Sequence, residues 1–193
     1  MKTLIISNYN VISEYIKDAL SELQLHPSDK YSWYKGKFYT KELYLVENYD
    51  ENSINDLLDI MIADGPIKNI ISIGLASSLV EHLRQGDILI NDYPSGSCQV
   101  LVDRFLNQAV ADDELPLRIF AGNIYNEPVN DENIVGLACL DLSSSQLFLT
   151  AKNKGLSSLA IRIINSEKHN EELDTEVTSN IVQSLLFLLK KVV

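Results

Sequence analysis

The chain has 193 residues, of which 46% are hydrophobic; it can bury roughly 70% of its unfolded surface, so we expect one domain over residues 1–193. Asp and Glu number 27 against 16 Lys and Arg, which gives a formal net charge of −11. A protein with this negative charge repels polyanions, which excludes nucleic acid as a partner unless a local basic face overrides the repulsion.

The densest group of lysines is interleaved with aromatic residues between positions 30 and 41. This mixture could form a nucleic-acid patch, but it is more typical of a half-buried strand or hairpin with one solvated face. We therefore expect no nucleic-acid partner.

The cysteines and the chain termini carry no sign of export or of a membrane span. Cys98 and Cys139 lie 41 positions apart, and neither a disulfide framework nor a CxxC or zinc pattern is present. The first residues are typical of a strand rather than a signal peptide, and the apolar C-terminal stretch is too short to cross a bilayer. The sequence predicts a cytoplasmic protein without membrane partner, metal or organic cofactor.

The pattern of apolar residues predicts strands that alternate with helices. Strands are expected at residues 3–7, 33–39, 43–46, 69–73, 87–90, 117–120, 134–140 and 159–164. Helices are expected from near 10 to 23, from 53 to 62, as a short piece at 79–83, from 143 or 144 to 151, and from 170–175 to near the end. The strands at 33–39 and 43–46 are expected to form a hairpin joined near Gly36, and Ser143 or Ser144 is the expected cap of its helix. Residues 95–116 give no clear prediction.

This alternation, without a linker or an internal repeat, indicates an α/β fold, a three-layer sandwich around a central mixed, mainly parallel sheet. Ligands of such sheets bind beyond the carboxyl ends of the strands. The strand ends of interest are residues 7–10, 74–78, 140–145 and 164–167. A flavodoxin-like or other doubly wound domain is the alternative, and it predicts an all-parallel sheet with a ligand near residues 7–10.

Two segments at these strand ends resemble one family. IISIGLASSL, which begins at Ile70, and LRQGDILI, which begins at Leu83, resemble the GxAGGL...GDVV signature of purine nucleoside phosphorylases and methylthioadenosine/adenosylhomocysteine nucleosidases. ACLDLS and GLSSLAIRIINS, which begin at Ala138 and Gly155, are similar to the family's A-V-D-M-E helix start and to its later strand G-hydrophobic-A-I-R-x-x-S-D. The chain is identified as a divergent, shortened relative of this nucleoside phosphorylase and nucleosidase superfamily.

The resemblance implies cleavage of the N-glycosidic bond of a purine-type nucleoside, without a cofactor. The family's aspartate, which protonates the departing purine, falls on Ser166, and its ribose-binding glutamate falls on Ser143. A hydroxyl is not an acid at neutral pH, so losing the proton donor should cost roughly 10²- to 10⁴-fold in rate.

Three other carboxylates could substitute for the missing ones. Asp141 lies two positions before Ser143 and Glu167 lies one after Ser166; each could reach the site by a local shift or remain a solvated loop residue. The water-activating glutamate of the nucleosidases falls on Ile12 in an ungapped alignment or on Glu14 if two residues are inserted, and both alternatives stay open.

The same motifs imply a set of substrate-binding positions. They are Gly74, Ala76, Ser77, Asp141, Leu142, Ser143, Arg162 and Asn165. Arg162 lies on a predicted buried strand, where an arginine needs an anionic partner unless its head group reaches solvent. Acidic residues 47–52 replace the family's glycine-rich loop, which disfavours phosphate binding and hence phosphorolysis. The chain is also shorter than typical members between Gly122 and Asp141.

Two functional hypotheses follow. The first is a nucleosidase-like or nucleoside-processing protein with a degenerate active site, in which Ser166, Glu167 and Glu14 are the candidate catalytic residues. The second is a non-catalytic nucleoside-binding or structural homologue. In both, the partner is a small nucleoside or purine, and by analogy with the family the protein is expected to be a homo-oligomer.

Overall fold

Apolar runs form the central strands of this protein, and amphipathic stripes form the helices that cover them. The computed structural model describes residues 2–7, 9–27, 29–47, 49–93, 98–111, 117–166 and 175–192. The strands are β1 Lys2–Ser7, β2 Ser21–Pro27, β3 Ser32–Phe38, β4 Lys41–Glu47, β5 Ile67–Ser78, β6 Ile88–Tyr93, β7 Ile119–Ala121, β8 Asn123–Tyr125, β9 Ala138–Leu140 and β10 Ser158–Ser166. The helices are α1 Asn10–Ala19, α2 Ile54–Ala63, α3 Gln99–Ala111, α4 Ser145–Asn153 and α5 Thr175–Val192, with short 3₁₀ turns at Glu51–Ser53 and Asp131–Asn133.

The strands form one mixed sheet in the order β2-β3-β4-β1-β5-β10-β6-β7. Its centre is parallel, because β1 pairs with β4 and β5, and β5 pairs with β10, in the same direction. Antiparallel pairs join β2 to β3, β3 to β4 and β10 to β6, and β9 brings β8 to the sheet through an antiparallel pair with β5. The predicted α/β fold with a mixed sheet is confirmed, and the doubly wound alternative with an all-parallel sheet is wrong.

Helices cover both faces of the sheet. Side chains of α1, α3 and α5 share one apolar cluster with Ile71 and Ile73 of β5. Side chains of α2 and α4 share the opposite cluster with Ile70 of the same strand. Because successive residues of β5 point to opposite faces, its continuous apolar run supplies both cores.

The short helix predicted at residues 79–83 is wrong, since these residues form turns. The Ser78 hydroxyl accepts from the Val80 N–H at 3.2 Å and donates to the Val80 carbonyl at 2.6 Å. The Leu79 N–H donates to the Ala138 carbonyl of β9. A local serine turn and a strand partner therefore use the backbone groups that a helix would need.

The hairpin prediction is right about its two strands and wrong about the turn, which lies at residues 39–40. Gly36 is inside β3, where a Cβ would lie 3.1 Å from both the Leu20 Cβ and the Ser21 carbonyl oxygen. The glycine thus permits close packing rather than a turn. The first helix ends at Ala19 instead of continuing to residue 23, and the unpredicted edge strand β2 follows it.

Both cysteines are buried, and neither forms a disulfide within the part of the chain that the structure describes. Within the described ranges, no helix has the length and apolar character needed to cross a membrane, and no group of three or more His, Cys, Asp or Glu is placed to hold a metal ion.

Gly122 lies between β7 and β8 and packs closely against Leu137, the residue that precedes β9. A Cβ there would lie 2.6 Å from both the Leu137 carbonyl oxygen and Leu89 Cδ1. We expect Gly122→Ala to lower the free energy of unfolding in urea by about 1–3 kcal/mol, because the backbone must move to admit the methyl group.

Gly74→Ala is the matched control, because a Cβ at Gly74 approaches Arg162 no closer than 3.8 Å. It should change the free energy of unfolding by less than about 0.5 kcal/mol. Equal stability of Gly122→Ala and the wild type would contradict this account.

Candidate functional site

The two sequence motifs meet at one edge of the sheet. In the parallel pair of β5 and β10, Gly74 is the partner of Arg162 and Ser77 is the partner of Ser166. Strand β9 ends beside β5, with Leu140 opposite Ser77. The chain then turns into α4, so the carboxyl ends of β5 and β10 and the start of α4 surround one cleft.

The cleft consists of two adjacent hollows of about 200 and about 260 Å³, which share Leu75 and Ser143. Together they fall within the roughly 300–1,000 Å³ typical of small-molecule sites. Of the predicted substrate-binding residues, the first hollow is lined by Gly74, Ser143 and Arg162. The second is lined by Ala76, Ser77, Asp141, Leu142, Ser143 and Asn165. The structure thus gathers all eight of these positions around one cleft.

A buried ion pair forms the back wall of the cleft. Arg162 Nε lies 2.6 Å from Asp141 Oδ2, and the two side chains are 2% and 1% exposed. The Nη1 group of Arg162 donates to the Ser72 and Ile161 carbonyls at 2.7 and 2.9 Å, and Nη2 donates to the Ser72 hydroxyl at 2.9 Å. The arginine that needed an anionic partner therefore has one within the protein.

Asp141 has no free oxygen for proton transfer. Besides Arg162, it accepts the Ser143 N–H at 2.9 Å, the Ser143 hydroxyl at 2.8 Å and the Ser144 hydroxyl. Burial pushes the pKa of Asp141 upward, but the charge of Arg162 and the serine hydrogen bonds outweigh it and leave the pKa below its usual value. The residue is an ionised structural anchor at neutral pH.

The prediction that Ser143 or Ser144 caps helix α4 is right about the position and wrong about the hydrogen bond. Ser144 is the N-cap residue of α4, but its side chain makes no capping hydrogen bond. Its hydroxyl and that of Ser143 donate to Asp141 instead. The two serine hydroxyls therefore stabilise the ion pair and do not cap the helix.

Ser166 lies at the end of β10, where its hydroxyl donates to the Ser77 hydroxyl at 2.9 Å. Two neutral hydroxyls therefore meet at this edge of the cleft. They can exchange hydrogen bonds with a ligand, but neither supplies an acidic proton at neutral pH.

The candidate catalytic glutamates do not join this cluster within the described residues. Glu14 on α1 is outside the cleft lining, with a side chain 66% exposed and paired with Lys17 at 2.7 Å. Ile12, the ungapped alternative, is 1% exposed in the core. Glu167 lies outside the described residues. The structure thus gives α1 no carboxylate facing the cleft.

The substrate-binding positions named from the sequence do not include Tyr9, Tyr49 and Ser72, which also line the first hollow. Tyr49 is 8% exposed, and its hydroxyl donates to the Ser143 carbonyl at 3.5 Å. Burial raises the pKa of Tyr49 to about 12, so its hydroxyl stays protonated at neutral pH. The available signal was an aromatic residue within the segment 47–52, which had been weighed only for its acidic charge.

Comparison with known proteins gives matches at the level of fold. No family model matches the sequence, and no curated protein matches it. A futalosine hydrolase mutant of Helicobacter pylori strain 26695 is similar with a TM-score of 0.73 at 14% identity, over 100% of this chain and 98% of that one. The chain has the nucleoside phosphorylase and nucleosidase fold.

Two nucleosidase structures show the same likeness. A 5′-methylthioadenosine/S-adenosylhomocysteine nucleosidase from Neisseria meningitidis, in complex with methylthio-immucillin-A, is similar with a TM-score of 0.74 at 11% identity over 99% of this chain and 97% of that one. One from Colwellia psychrerythraea 34H, in complex with adenine, has a TM-score of 0.72 at 13% identity over 100% of this chain and 96% of that one. The resemblance read from the sequence is confirmed at the level of this nucleosidase fold.

The buried ion pair generates a stability prediction. Arg162→Met leaves Asp141 buried without its counter-charge and should lower the free energy of unfolding by about 3–5 kcal/mol in urea titrations. The double variant Asp141→Leu/Arg162→Met removes both charges and should be more stable than Arg162→Met.

Lys37→Met provides the control, because the Lys37–Glu22 pair is exposed and should contribute at most about 1 kcal/mol. A double variant less stable than Arg162→Met would refute the burial argument.

The lowered pKa of Asp141 also predicts a response to acid. Its pKa is below 3.8 in the folded state and ordinary in the unfolded state, so its stabilising contribution is complete above that ordinary value. As the pH falls further, the unfolded state binds the proton first, and the contribution is lost as the pH passes through the folded pKa. Wild-type stability should therefore fall more steeply with decreasing pH below 3.8 than that of Asp141→Leu/Arg162→Met. Parallel curves would contradict this assignment.

Proposed function

We propose that this protein binds a purine-type nucleoside in the cleft and does not cleave its glycosidic bond at the rate of a nucleosidase. The fold and the cleft support nucleoside binding, because the neighbouring structures include one bound to adenine and one bound to methylthio-immucillin-A. The eight substrate-binding positions implied by the family motifs line this same cleft.

The state of Asp141 carries the argument against efficient catalysis. Among the described residues that line the cleft, Asp141 is the one carboxylate. Both of its oxygens are used by Arg162, Ser143 and Ser144. The positions of the family's acid and ribose-binding glutamate are Ser166 and Ser143, and hydroxyls cannot supply the missing proton.

The charge of the cleft favours a neutral ligand. Arg162 is the one described cation in its lining, and Asp141 neutralises it. A nucleotide or inorganic phosphate would bring negative charge to a protein of net charge −11 without an unpaired cation to receive it. The proposed ligand is therefore a nucleoside or its base, and phosphorolysis stays disfavoured.

A nucleosidase that uses Glu167 as its acid is the second candidate. One observation favours it: Ser166, the preceding residue in the chain, lies beside Ser77 of the cleft. This candidate predicts release of free base that Glu167→Gln abolishes. A homo-oligomeric state and a cytoplasmic location remain predictions of the sequence.

The decisive experiment measures binding and cleavage on the same samples. Adenosine, inosine, methylthioadenosine and adenine are titrated by calorimetry, and release of free base from the nucleosides is followed by chromatography with and without phosphate. We expect saturable binding without base release. Gly74→Val should weaken binding by about tenfold or more, because its side chain enters the first hollow beside Arg162.

Leu25→Ala on the exposed edge strand β2 is the control and should bind as the wild type does. Urea unfolding of each variant separates lost binding from lost folding. Base release that Glu167→Gln abolishes selects the second candidate. Absence of binding to every nucleoside and to adenine would overturn the proposal in both forms.

A further inference from the structure

A second cavity lies outside the cleft and shares no lining residue with it. It has a volume of about 330 Å³ and lies between the turn that precedes β6, the start of β7 and helix α5. We call it the Arg84 cavity. Its lining includes Arg84, Asp87, Leu117, Arg118, Asn180 and Ile181.

The charge of the Arg84 cavity is opposite to that of the molecule. Its lining contains two arginines and one aspartate, whereas the whole chain carries −11. Asp87 is 4% exposed on its side chain and lies 3.4 Å from Arg118 Nη1. It also accepts the backbone N–H of Arg84 at 2.8 Å. The carboxylate is therefore already neutralised inside the protein.

The Arg84 guanidinium is free to receive a ligand. It makes no ion pair or hydrogen bond with any described residue, while Arg118 uses one nitrogen on Asp87 and is 49% exposed. Guanidinium groups bind planar oxyanions through two parallel hydrogen bonds. Two arginines on one cavity of an acidic protein thus favour an anionic ligand.

The remaining lining adds an apolar floor and a polar group. Leu117 is 9% exposed, and Ile181 of helix α5 packs against the apolar cluster shared by α1, α3 and α5. Asn180 of the same helix also lines the cavity. An inorganic ion would leave this apolar surface uncovered, whereas an aromatic or short aliphatic body would cover it.

We propose that the Arg84 cavity binds a small organic anion, in which a carboxylate or phosphate group contacts Arg84 and Arg118 and an apolar body packs on Leu117 and Ile181. This site is independent of the nucleoside cleft and of the proposed function.

The test measures the thermal unfolding midpoint of the purified protein with benzoate, phenyl phosphate or inorganic phosphate, at ionic strength held constant with sodium chloride. Benzamide is the neutral probe of similar shape. We expect benzoate or phenyl phosphate to raise the midpoint with increasing concentration and benzamide to leave it unchanged. The organic anion that raises the midpoint more identifies carboxylate or phosphate as the preferred group, and inorganic phosphate should raise the midpoint less than that anion does.

Arg84→Gln should lower the affinity for the anion that raises the midpoint by about tenfold or more. Arg84→Lys should have an intermediate affinity, because lysine keeps the charge but cannot form two parallel hydrogen bonds. Arg104→Gln on the exposed side of α3 is the matched control and should behave as the wild type does. Gly74→Val, which fills the cleft, should retain the response and so separates this site from the nucleoside site. Equal affinity in Arg84→Gln and wild type, an equal response to benzamide, or no response to either organic anion overturns the proposal.

Discussion

The buried pair of Arg162 and Asp141 is the interaction on which the cleft depends. It joins β10 to the loop before α4, and two further guanidinium hydrogen bonds reach Ser72 of β5. Three segments distant in sequence are thereby fixed at one sheet edge. Removing two charges from water is costly, so this arrangement is stable only because nearly every donor and acceptor of the pair is satisfied.

The chemistry of the cleft follows from the way this pair is satisfied. The carboxylate that could have replaced the family's missing glutamate is used to hold Arg162, and the serines nearest to it donate to it. The cleft keeps its shape, its hydroxyl groups and an aromatic wall at Tyr49, while its described lining has no acid to give a leaving base a proton. Shape and hydrogen bonding suffice for binding. Bond cleavage also requires a group that neutralises the charge that develops in the transition state.

The sequence predicted the parts of this structure that depend on strong local patterns. The apolar runs of β5 and β10 are long enough to mark buried strands, and motif spacing placed Gly74, Ser143 and Arg162 at one cleft. Features decided by tertiary contacts were not predictable. The partner of Arg162 depends on a loop turn twenty-one positions away in sequence, and the role of Gly36 depends on the close approach of Leu20. Tyr49 was missed because the segment 47–52 was judged by its acidic charge alone. The buried aromatic side chain within that segment is what lines the first hollow.

The network around Ser72, Asp141 and Arg162 is satisfied by the protein's own donors and acceptors, so the back wall of the cleft needs no reordering to receive a ligand. A nucleoside would then meet a rigid surface, and its association would carry little conformational entropy cost from these side chains. The heat capacity change on association should accordingly reflect the apolar area covered on Tyr9, Tyr49 and Leu75 rather than any coupled folding of the cleft.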